Sequence, residues 1–261
     1  MEAIRNAAVA GLFYPENSTE LSTEVEACLA NAEARECAPK AIIAPHAGYA
    51  YSGSIAGSAF AAVRSIAARI SRVVLLGPSH RVAFTGLAVS GADAFETPLG
   101  RIPLDHEAIN ALREMEQVTT LDDAHSMEHS LEVELPFLQI VLGEFKLVPL
   151  VVGDATYGEV SEVIDALWGG DETLIVISSD LSHYLDYRHA RAIDEQTRQA
   201  IEALRPEDIS SEQACGRIPI GGLLLSARKR GLHVTTLDMC NSGDTAGSLD
   251  RVVGYGAYAI G

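Results

Sequence analysis

The sequence lacks the features of several protein classes. No apolar run is long enough to cross a bilayer as a helix, and the N-terminus has no basic region followed by an uninterrupted apolar stretch. Neither G-x-G-x-x-G nor a P-loop lysine motif occurs, so nothing supports nucleotide binding. Gly77 to Arg81 begins like the G-x-S-x-G elbow of serine hydrolases but has no final glycine. We therefore expect a cytoplasmic protein of another class.

Positive charge is also scarce. The 261 residues include 19 Lys and Arg against 36 Asp and Glu, which gives a formal net charge of −17. Nucleic-acid binding needs clustered cations that displace counterions from phosphates, so a chain this acidic is poorly suited to it. Adhesion to an anionic membrane surface is disfavoured for the same electrostatic reason. We expect neither nucleic acid nor a membrane among the partners.

Cysteines are few and scattered, at Cys28, Cys37, Cys215 and Cys240. They form no C-x-x-C pair, so the sequence predicts neither a disulfide framework nor a zinc knuckle. Cys28 continues a helical apolar pattern, which predicts a core position. Cys215 stands directly before a helix that Pro219 opens, and a thiol at a helix N-terminus has a lowered pKa that favours the metal-binding thiolate. The alternative for Cys215 is a small buried hydrophobe.

The composition that remains is that of a folded α/β protein. Hydrophobic residues make up 48% of the chain and charged residues 21%, which predicts a sizeable core. Short β-branched runs alternate with helical patterns, so we expect one domain over residues 1–261 with a mostly parallel central sheet flanked by helices. Asn17 and Asp105 are predicted helix N-caps. A β excursion is expected over Leu87 to Leu104, and Pro136 is expected to bend a helix or mark its boundary.

Three of the apolar runs end just before a histidine. They are followed by His46, His80 and His183. Because ligands bind beyond the carboxyl ends of parallel strands, these histidines are expected to converge on one site. Imidazole suits iron, zinc, copper and nickel, and a mononuclear site usually adds an anionic third ligand. Asp180, Glu128 and Cys215 are the candidates for that ligand.

The segment HSMEH offers a different zinc site. His125, Glu128 and His129 match the H-x-x-E-H pattern of inverzincin peptidases, in which Glu128 would act as the general base. The pattern needs both histidines on one face of a helix. The alternative is a loop that places His125 and Glu128 over the pocket while His129 faces the core or solvent. We interpret His106, His189 and His233 as structural.

Five segments taken together, PHAGYAYSG, GPSH, HSMEHSLEVELPF, SSDLSH and CGRIPIG, resemble the Memo (mediator of cell motility) family. The resemblance covers nearly the whole chain. That family in turn is similar to the class III extradiol dioxygenases, such as protocatechuate 4,5-dioxygenase. The resemblance implies a single α/β domain with a non-haem metal site.

The resemblance also implies roles for individual residues. The metal ligands would be His46, His80 and Cys215, with Asp180 and His183 as catalytic residues and His125 and Glu128 as pocket residues from the H-S-x-E motif. His183 would take the place of the dioxygenases' acid/base histidine, held by a neighbour such as Asp180. His129 has no counterpart in this assignment, which weakens the peptidase interpretation. Cys215 stands where the dioxygenases use a carboxylate, which argues against catechol ring cleavage and favours softer ions.

The function expected from these observations is oxidation of a small molecule at a metal site. Iron is the first expected metal, copper the second and zinc the third. The alternative is a binding module, because eukaryotic members are described as adaptors whose pocket accepts phosphotyrosine-type peptides. Gene neighbourhood in prokaryotes further suggests a functional link to an AMMECR-domain protein and a radical SAM protein.

Overall fold

A computed structural model of the protein describes residues 2–33 and 38–261, so Cys37 lies outside the described residues. The strands are β1 (Ile4–Arg5), β2 (Ala41–Ala44), β3 (Arg72–Pro78), β4 (Leu87–Val89), β5 (Ala94–Thr97), β6 (Gly100–Pro103), β7 (Val118–Thr120), β8 (Lys146–Val152), β9 (Thr173–Ser178), β10 (His183–Leu185), β11 (Val234–Asn241) and β12 (Val252–Ile260). The α-helices are α1 (Ser18–Ala30), α2 (Tyr49–Val63), α3 (His106–Leu112), α4 (Asp122–Ser126), α5 (Leu135–Leu142), α6 (Tyr157–Ala166), α7 (Tyr187–Glu202) and α8 (Arg217–Lys229).

Polar side chains begin several of these helices where the sequence places them. The Asn17 side chain accepts hydrogen bonds from the backbone amides of Thr19 and Glu20 at the start of α1. Asp105 caps α3 in the same way. Both predicted N-caps are therefore confirmed, and each satisfies amides that have no partner within the helix. Pro136 lies in the first turn of α5 and marks its beginning rather than a bend.

The main sheet has the order β10-β12-β2-β9-β3-β8-β4-β7, and β11 also pairs with β12. Its centre, β2-β9-β3-β8, is parallel. The parallel prediction holds for this centre and for the β4–β7 pair at one end. It fails elsewhere, because β12 runs antiparallel to β2, and β4 runs antiparallel to β8. The sheet as a whole is therefore mixed. The expected β excursion divides between this sheet, which takes β4, and a three-stranded sheet of order β1-β5-β6.

Two groups of helices pack on the sheet. Helices α1, α2 and α5 contact one another, and α2 also lies against β2, β11 and β12. Helices α6 and α8 form the other group, in which α8 contacts β3 and β9. The close approach of α1 to α2 depends on Gly57, because a Cβ there would lie 2.4 Å from the carbonyl oxygen of Cys28. Cys28 itself is half-buried and packs against the core, as predicted.

The arrangement of the central strands fixes where a site can form. Strands β2, β9 and β3 are adjacent and parallel, so their carboxyl ends meet at one edge of the sheet. Their residues are buried along almost the whole length, which is typical of parallel strands covered on both faces. Among the described residues, no helix has the length and apolar character needed to span a membrane.

Candidate metal centre

Three predicted ligands meet at this edge of the sheet. His46 follows β2 and His80 follows β3, and their rings lie edge to face with centroids 5.2 Å apart. The Cys215 Sγ atom lies 3.4 Å from His46 Nε2. One potential ligand atom from each of these residues lies within 4.8 Å of the others. The structure thus brings together two side chains from the ends of strands on either side of β9, and a third from a segment about 135 residues further along the chain.

His46 is held from two sides. Its backbone amide donates a hydrogen bond of 2.8 Å to Asp180 Oδ1, and its Nδ1 lies 2.7 Å from Ser178 Oγ. Ser178 ends β9 in register with Ala44, two residues before His46, so the sheet itself sets this contact. His46 is only 2% exposed, and burial together with the neighbouring His80 and His129 places its pKa well below the ordinary value. The ring is therefore neutral, as a metal ligand must be.

His80 is held by a carboxylate. Glu128 accepts a hydrogen bond from the His80 backbone amide at 2.6 Å and lies 2.9 Å from Nδ1 of the same residue. The same carboxylate also accepts from the backbone amides of His129 and Ser130. Burial raises the pKa of Glu128, but these hydrogen bonds outweigh it and lower the pKa to about 2. Glu128 is thus an ionised support for His80 rather than a residue on the pocket surface.

Cys215 is placed by the turn before α8. The backbone amide of Gly216 donates to Ser179 Oγ at 2.9 Å, and a Cβ at Gly216 would lie 2.6 Å from the Ser179 Cβ atom. Only glycine fits this approach, which brings the preceding thiol to His46. The predicted lowering of the Cys215 pKa is wrong for the metal-free protein. Burial, assisted by the negative charge of Asp180, raises the pKa to about 12, because desolvation outweighs the helix N-terminus.

The donor set and its spacing fit a transition metal. With metal–nitrogen and metal–sulfur bonds of about 2.0 and 2.3 Å, a tetrahedral site separates the two donor atoms by about 3.5 Å. The observed Sγ to Nε2 distance of 3.4 Å already matches this value. Each histidine has its Nδ1 engaged by a neighbour, which leaves Nε2 to face an ion. Two imidazoles and one thiolate suit iron, copper or zinc.

His129 lies in the site, although the family resemblance implies no role for it there. Its ring stacks on His80 at a centroid distance of 4.7 Å and meets His46 edge to face at 5.5 Å. His80, Glu128 and His129 form a second group with the spacing of metal ligands. A signal was present, since H-S-x-E occurs twice in tandem, as HSME and then HSLE. The second copy, which begins at His129, is the one that contacts both metal-ligand histidines.

His125 lies elsewhere. It is 2% exposed, its Nε2 lies 3.0 Å from the backbone oxygen of Ala88, and its ring packs edge to face against Phe95. Helix α4 ends at Ser126, so His125 and His129 do not share a helix face. His125 also belongs to neither ligand group found among the described residues. The expected pocket position of His125 and the helical zinc motif of the peptidase interpretation are therefore both absent from the described structure.

A cleft of about 900 Å³ opens beside the three ligands. Its lining includes His80, Cys215 and His183, as expected, and also His189, which we had interpreted as structural. His183 is half-buried, and burial lowers its pKa, although a hydrogen bond to the backbone of Leu181 acts in the opposite direction. The ring is therefore neutral near pH 7 and able to accept a proton.

Asp180 does not hold His183. Its carboxyl group instead accepts from the backbone amides of His46 and Ala47, so it fixes the loop that carries the metal ligand. Asp180 is 5% exposed, and burial raises its pKa to about 7 despite these hydrogen bonds. The orienting contact of His183 is the Leu181 backbone, which no side-chain motif in the sequence could indicate.

Comparison with known proteins gives consistent matches. The model of the family described as "Memo-like protein" matches residues 5–259. A MEMO1 family protein of Aquifex aeolicus is 36% identical over 264 residues, which cover 97% of each chain. Another, from Aeropyrum pernix, is 36% identical and covers 98% of this chain and 99% of its own. The solved structure of an uncharacterized protein from Escherichia coli K12 is similar in fold alone, with a TM-score of 0.51, 14% identity, and coverage of 82% of this chain and 98% of that chain.

Proposed function

The chain belongs to the Memo family, and from the geometry of its centre we propose that it is a redox protein that binds iron, or alternatively copper. The ligands are His46, His80 and Cys215. The observation that carries this proposal is the pair of donor atoms, Cys215 Sγ and His46 Nε2, which lie 3.4 Å apart, at the spacing of two ligands of a tetrahedral metal site. We also propose that the α/β architecture is of the class III extradiol dioxygenase type.

The ligand set favours a redox metal over a purely structural one. The group has three ligands, two of which, His80 and Cys215, line the cleft, so it does not resemble a closed structural zinc site with four protein ligands. The partly exposed His80, whose side chain is 29% accessible, leaves one side of the centre open to the cleft. Bound iron or copper would supply one-electron chemistry at this position.

The cleft favours a small molecule as the substrate. Its lining among the described residues contains neither Lys nor Arg and includes Glu212. A phosphorylated peptide would need cations there, so the cleft gives no support to the adaptor alternative. Gln196 and Gln213 offer hydrogen bonds to an uncharged polar ligand, while Leu185 and Ile193 offer apolar contact.

His183 is the residue of this chain that we assign to proton transfer. It faces the same cleft as His80 and Cys215, and its lowered pKa keeps the imidazole in the proton-accepting form. The His183→Ala variant should retain the metal of the wild-type protein but lose metal-dependent oxygen consumption. Unchanged oxygen consumption in this variant would contradict the assignment.

Elemental analysis of protein purified without added metal tests the proposal directly. We expect near-stoichiometric iron or copper in the wild-type protein and loss of the metal in His46→Ala and Cys215→Ser. Cys240→Ser is the matched control, because Cys240 is another partly buried free cysteine whose neighbours lie outside both ligand groups. Metal that survives both ligand substitutions, or absence of metal from every preparation, would overturn the proposal.

A further inference from the structure

The hydroxyl group of Ser178 has three polar neighbours in the core behind His46. The backbone oxygen of Ser130 lies 2.5 Å from Ser178 Oγ, His46 Nδ1 lies 2.7 Å from it, and Glu134 Oε1 lies 2.8 Å from it. Ser178, Ser130 and Glu134 are all fully buried. Because bulk water does not reach these four groups, they must supply the hydrogens for one another's hydrogen bonds.

Counting donors leaves one arrangement. A serine hydroxyl has one hydrogen to donate and two lone pairs that accept. The Ser130 carbonyl can only accept, so the Ser178 hydrogen points to it along the shortest of the three contacts. His46 Nδ1 and Glu134 Oε1 must then both donate to Ser178 Oγ. This requires a hydrogen on His46 Nδ1 and a protonated carboxyl group at Glu134.

We propose that Glu134 is a positioning residue for the metal centre: as a neutral acid it donates to Ser178, which in turn holds His46 with its Nε2 lone pair directed at the metal. The proposal rests on the metal site described above. Glu134 contacts no ligand directly, since its effect passes through the Ser178 hydroxyl. The His46 tautomer that results is the one an Nε2-coordinated ion requires.

The surroundings of Glu134 agree with a neutral carboxyl group. It is fully buried, and no Lys or Arg contact to it is found among the described residues. Burial, aided by the nearby Asp180, raises its pKa well above the ordinary value even though the Ser178 contact acts in the opposite direction. The Oε2 atom has no hydrogen-bond partner in the described structure. An unpartnered carbonyl-type oxygen is tolerable in a protein core, whereas an unpaired buried charge is far more costly.

If Glu134 were ionised, the four polar groups around Ser178 Oγ would have too few hydrogens to form all three hydrogen bonds. The Ser178 hydrogen would then be drawn to the carboxylate, and Ser178 Oγ would face the Ser130 oxygen at 2.5 Å with no hydrogen between them. Two electronegative atoms at that distance repel each other unless a hydrogen lies between them. The observed distances therefore favour the protonated acid.

Two substitutions of Glu134 distinguish the effect of losing its hydrogen-bond donor from the effect of changing its side-chain volume. Glu134→Gln replaces the O–H donor by an N–H donor of the same length, whereas Glu134→Leu keeps a similar volume but donates nothing. The probe is Co²⁺, whose dissociation constant is measured by competition with a chelator. We expect Glu134→Gln to bind like the wild-type protein and Glu134→Leu to bind roughly 10 to 100-fold more weakly, the range seen for outer-shell partners of metal ligands.

A second measurement needs no metal. In the metal-free protein near pH 8, the infrared spectrum should contain a protonated carboxylic acid band that is absent from Glu134→Gln. Nitrogen NMR of the same sample should show the hydrogen of His46 on Nδ1. Both readouts remain informative if Glu134→Leu fails to fold, and both are independent of whether the wild-type protein binds iron or copper.

The outcomes distinguish this inference from the proposed function. If the wild-type protein binds no metal but the carboxylic acid band is present, the function fails while the assignment of Glu134 stands. If the band that distinguishes the wild-type protein from Glu134→Gln is missing near pH 8, or if Glu134→Leu folds and binds Co²⁺ like the wild-type protein, the inference is overturned whatever the metal content.

Discussion

The two histidines proposed as metal ligands are supported by carboxyl groups in opposite states of charge. Behind His80, Glu128 accepts four hydrogen bonds from nitrogen and stays ionised, with a pKa of about 2. Behind His46, the hydrogen-bond partner of Glu134 among the described residues is the Ser178 hydroxyl, and burial raises the pKa of Glu134 well above the ordinary value. Both arrangements present Nε2 to the same point. Burial raises the pKa of both carboxyl groups, and the N–H donors around Glu128, which Glu134 lacks among its described contacts, make the difference between them.

A third glutamate in the same segment extends the comparison. Glu132 is fully buried and accepts from the Arg5 guanidinium, the Tyr14 hydroxyl and the backbone amides of Ala8 and Val9. It anchors the N-terminal segment to the site, since Phe13 of that segment packs against His129 at 4.8 Å. Residues 128–134 thus contain three buried carboxyl groups. Glu128 is stabilised mainly by backbone amides, Glu132 by the Arg5 cation as well as by amides, and Glu134 by the proton that it retains.

The largest effect on stability is expected from removal of the negative charge of Glu132, which is paired with the Arg5 guanidinium. Glu132→Gln leaves the Arg5 guanidinium, whose side chain is 6% exposed, without its counter-charge. We expect unfolding in urea to show a loss of about 3 to 5 kcal/mol, the usual cost of breaking a buried pair from one side. The control is Glu96→Gln, which removes an exposed partner of Arg101 and should leave the stability nearly unchanged, because water screens an exposed ion pair. Equal losses in the two variants would contradict the proposed anchor.

Acid should distinguish Glu128 from Glu134. The pKa of Glu128 falls from an ordinary 4.5 to about 2 on folding, so its contribution to stability is complete above pH 4.5 and is lost as the pH falls towards 2. That shift corresponds to a contribution of up to about 3 kcal/mol. Urea unfolding between pH 5 and pH 3 should therefore show a smaller acid-induced loss in Glu128→Gln than in the wild-type protein.

Glu134→Gln provides the contrast for this measurement. A raised pKa contributes stability below the ordinary value and loses it as the pH rises, which is the opposite sign. This variant lacks that gain on acidification, so its loss between pH 5 and pH 3 should be as large as that of the wild-type protein or somewhat larger. If Glu134→Gln, rather than Glu128→Gln, flattened the acid profile, the assigned charge states would be reversed.

A smaller effect, on metal affinity, is expected when the ionised Glu128 carboxylate that supports His80 is replaced by a neutral side chain. Glu128→Gln removes the charge-assisted contact to His80 Nδ1, so affinity for Co²⁺ should fall roughly 10 to 100-fold. The equivalent substitution behind His46, Glu134→Gln, should leave the affinity unchanged. Chelator competition on both variants measures this difference, and equal losses would show that the two supports do not differ in charge.

The smallest effect is expected at the first copy of the H-S-x-E motif. His125→Gln should leave metal content and metal affinity unchanged, because His125 contacts Ala88 and Phe95 rather than the ligands. Elemental analysis beside His46→Ala checks this expectation. Loss of a zinc ion from His125→Gln would contradict it and revive the peptidase interpretation.

Much of this site could be predicted from local sequence. Buried β-branched runs that end just before His46 and His80 indicate parallel strands, and parallel strand ends converge at one edge of a sheet. The predicted family is confirmed by the match over residues 5–259. Asn17 and Asp105 begin helices as predicted. These N-caps could be predicted because an N-cap side chain bonds to backbone amides no more than three residues further along the chain.

The supporting residues could not be predicted in the same way. The sequence offers two H-S-x-E copies four residues apart, and nothing local distinguishes them. The fold does so through Ser130 of the second copy, whose hydroxyl donates to the Pro78 oxygen at 2.8 Å and whose own oxygen accepts from Ser178. These contacts link β3 to β9, so they exist only once the two strands lie side by side.

The sequence by itself determined the α/β fold class, the family and which residues are candidate ligands, because these depend on patterns within short segments and on residue type. The tertiary structure alone decided the charge state of each buried group. Cys215 was expected to be a thiolate and is instead a protonated thiol in the metal-free protein, while Glu128 and Glu134 differ in charge although both are buried glutamates. Ionisation depends on desolvation and on the donors within hydrogen-bonding distance, and distant parts of the chain supply both.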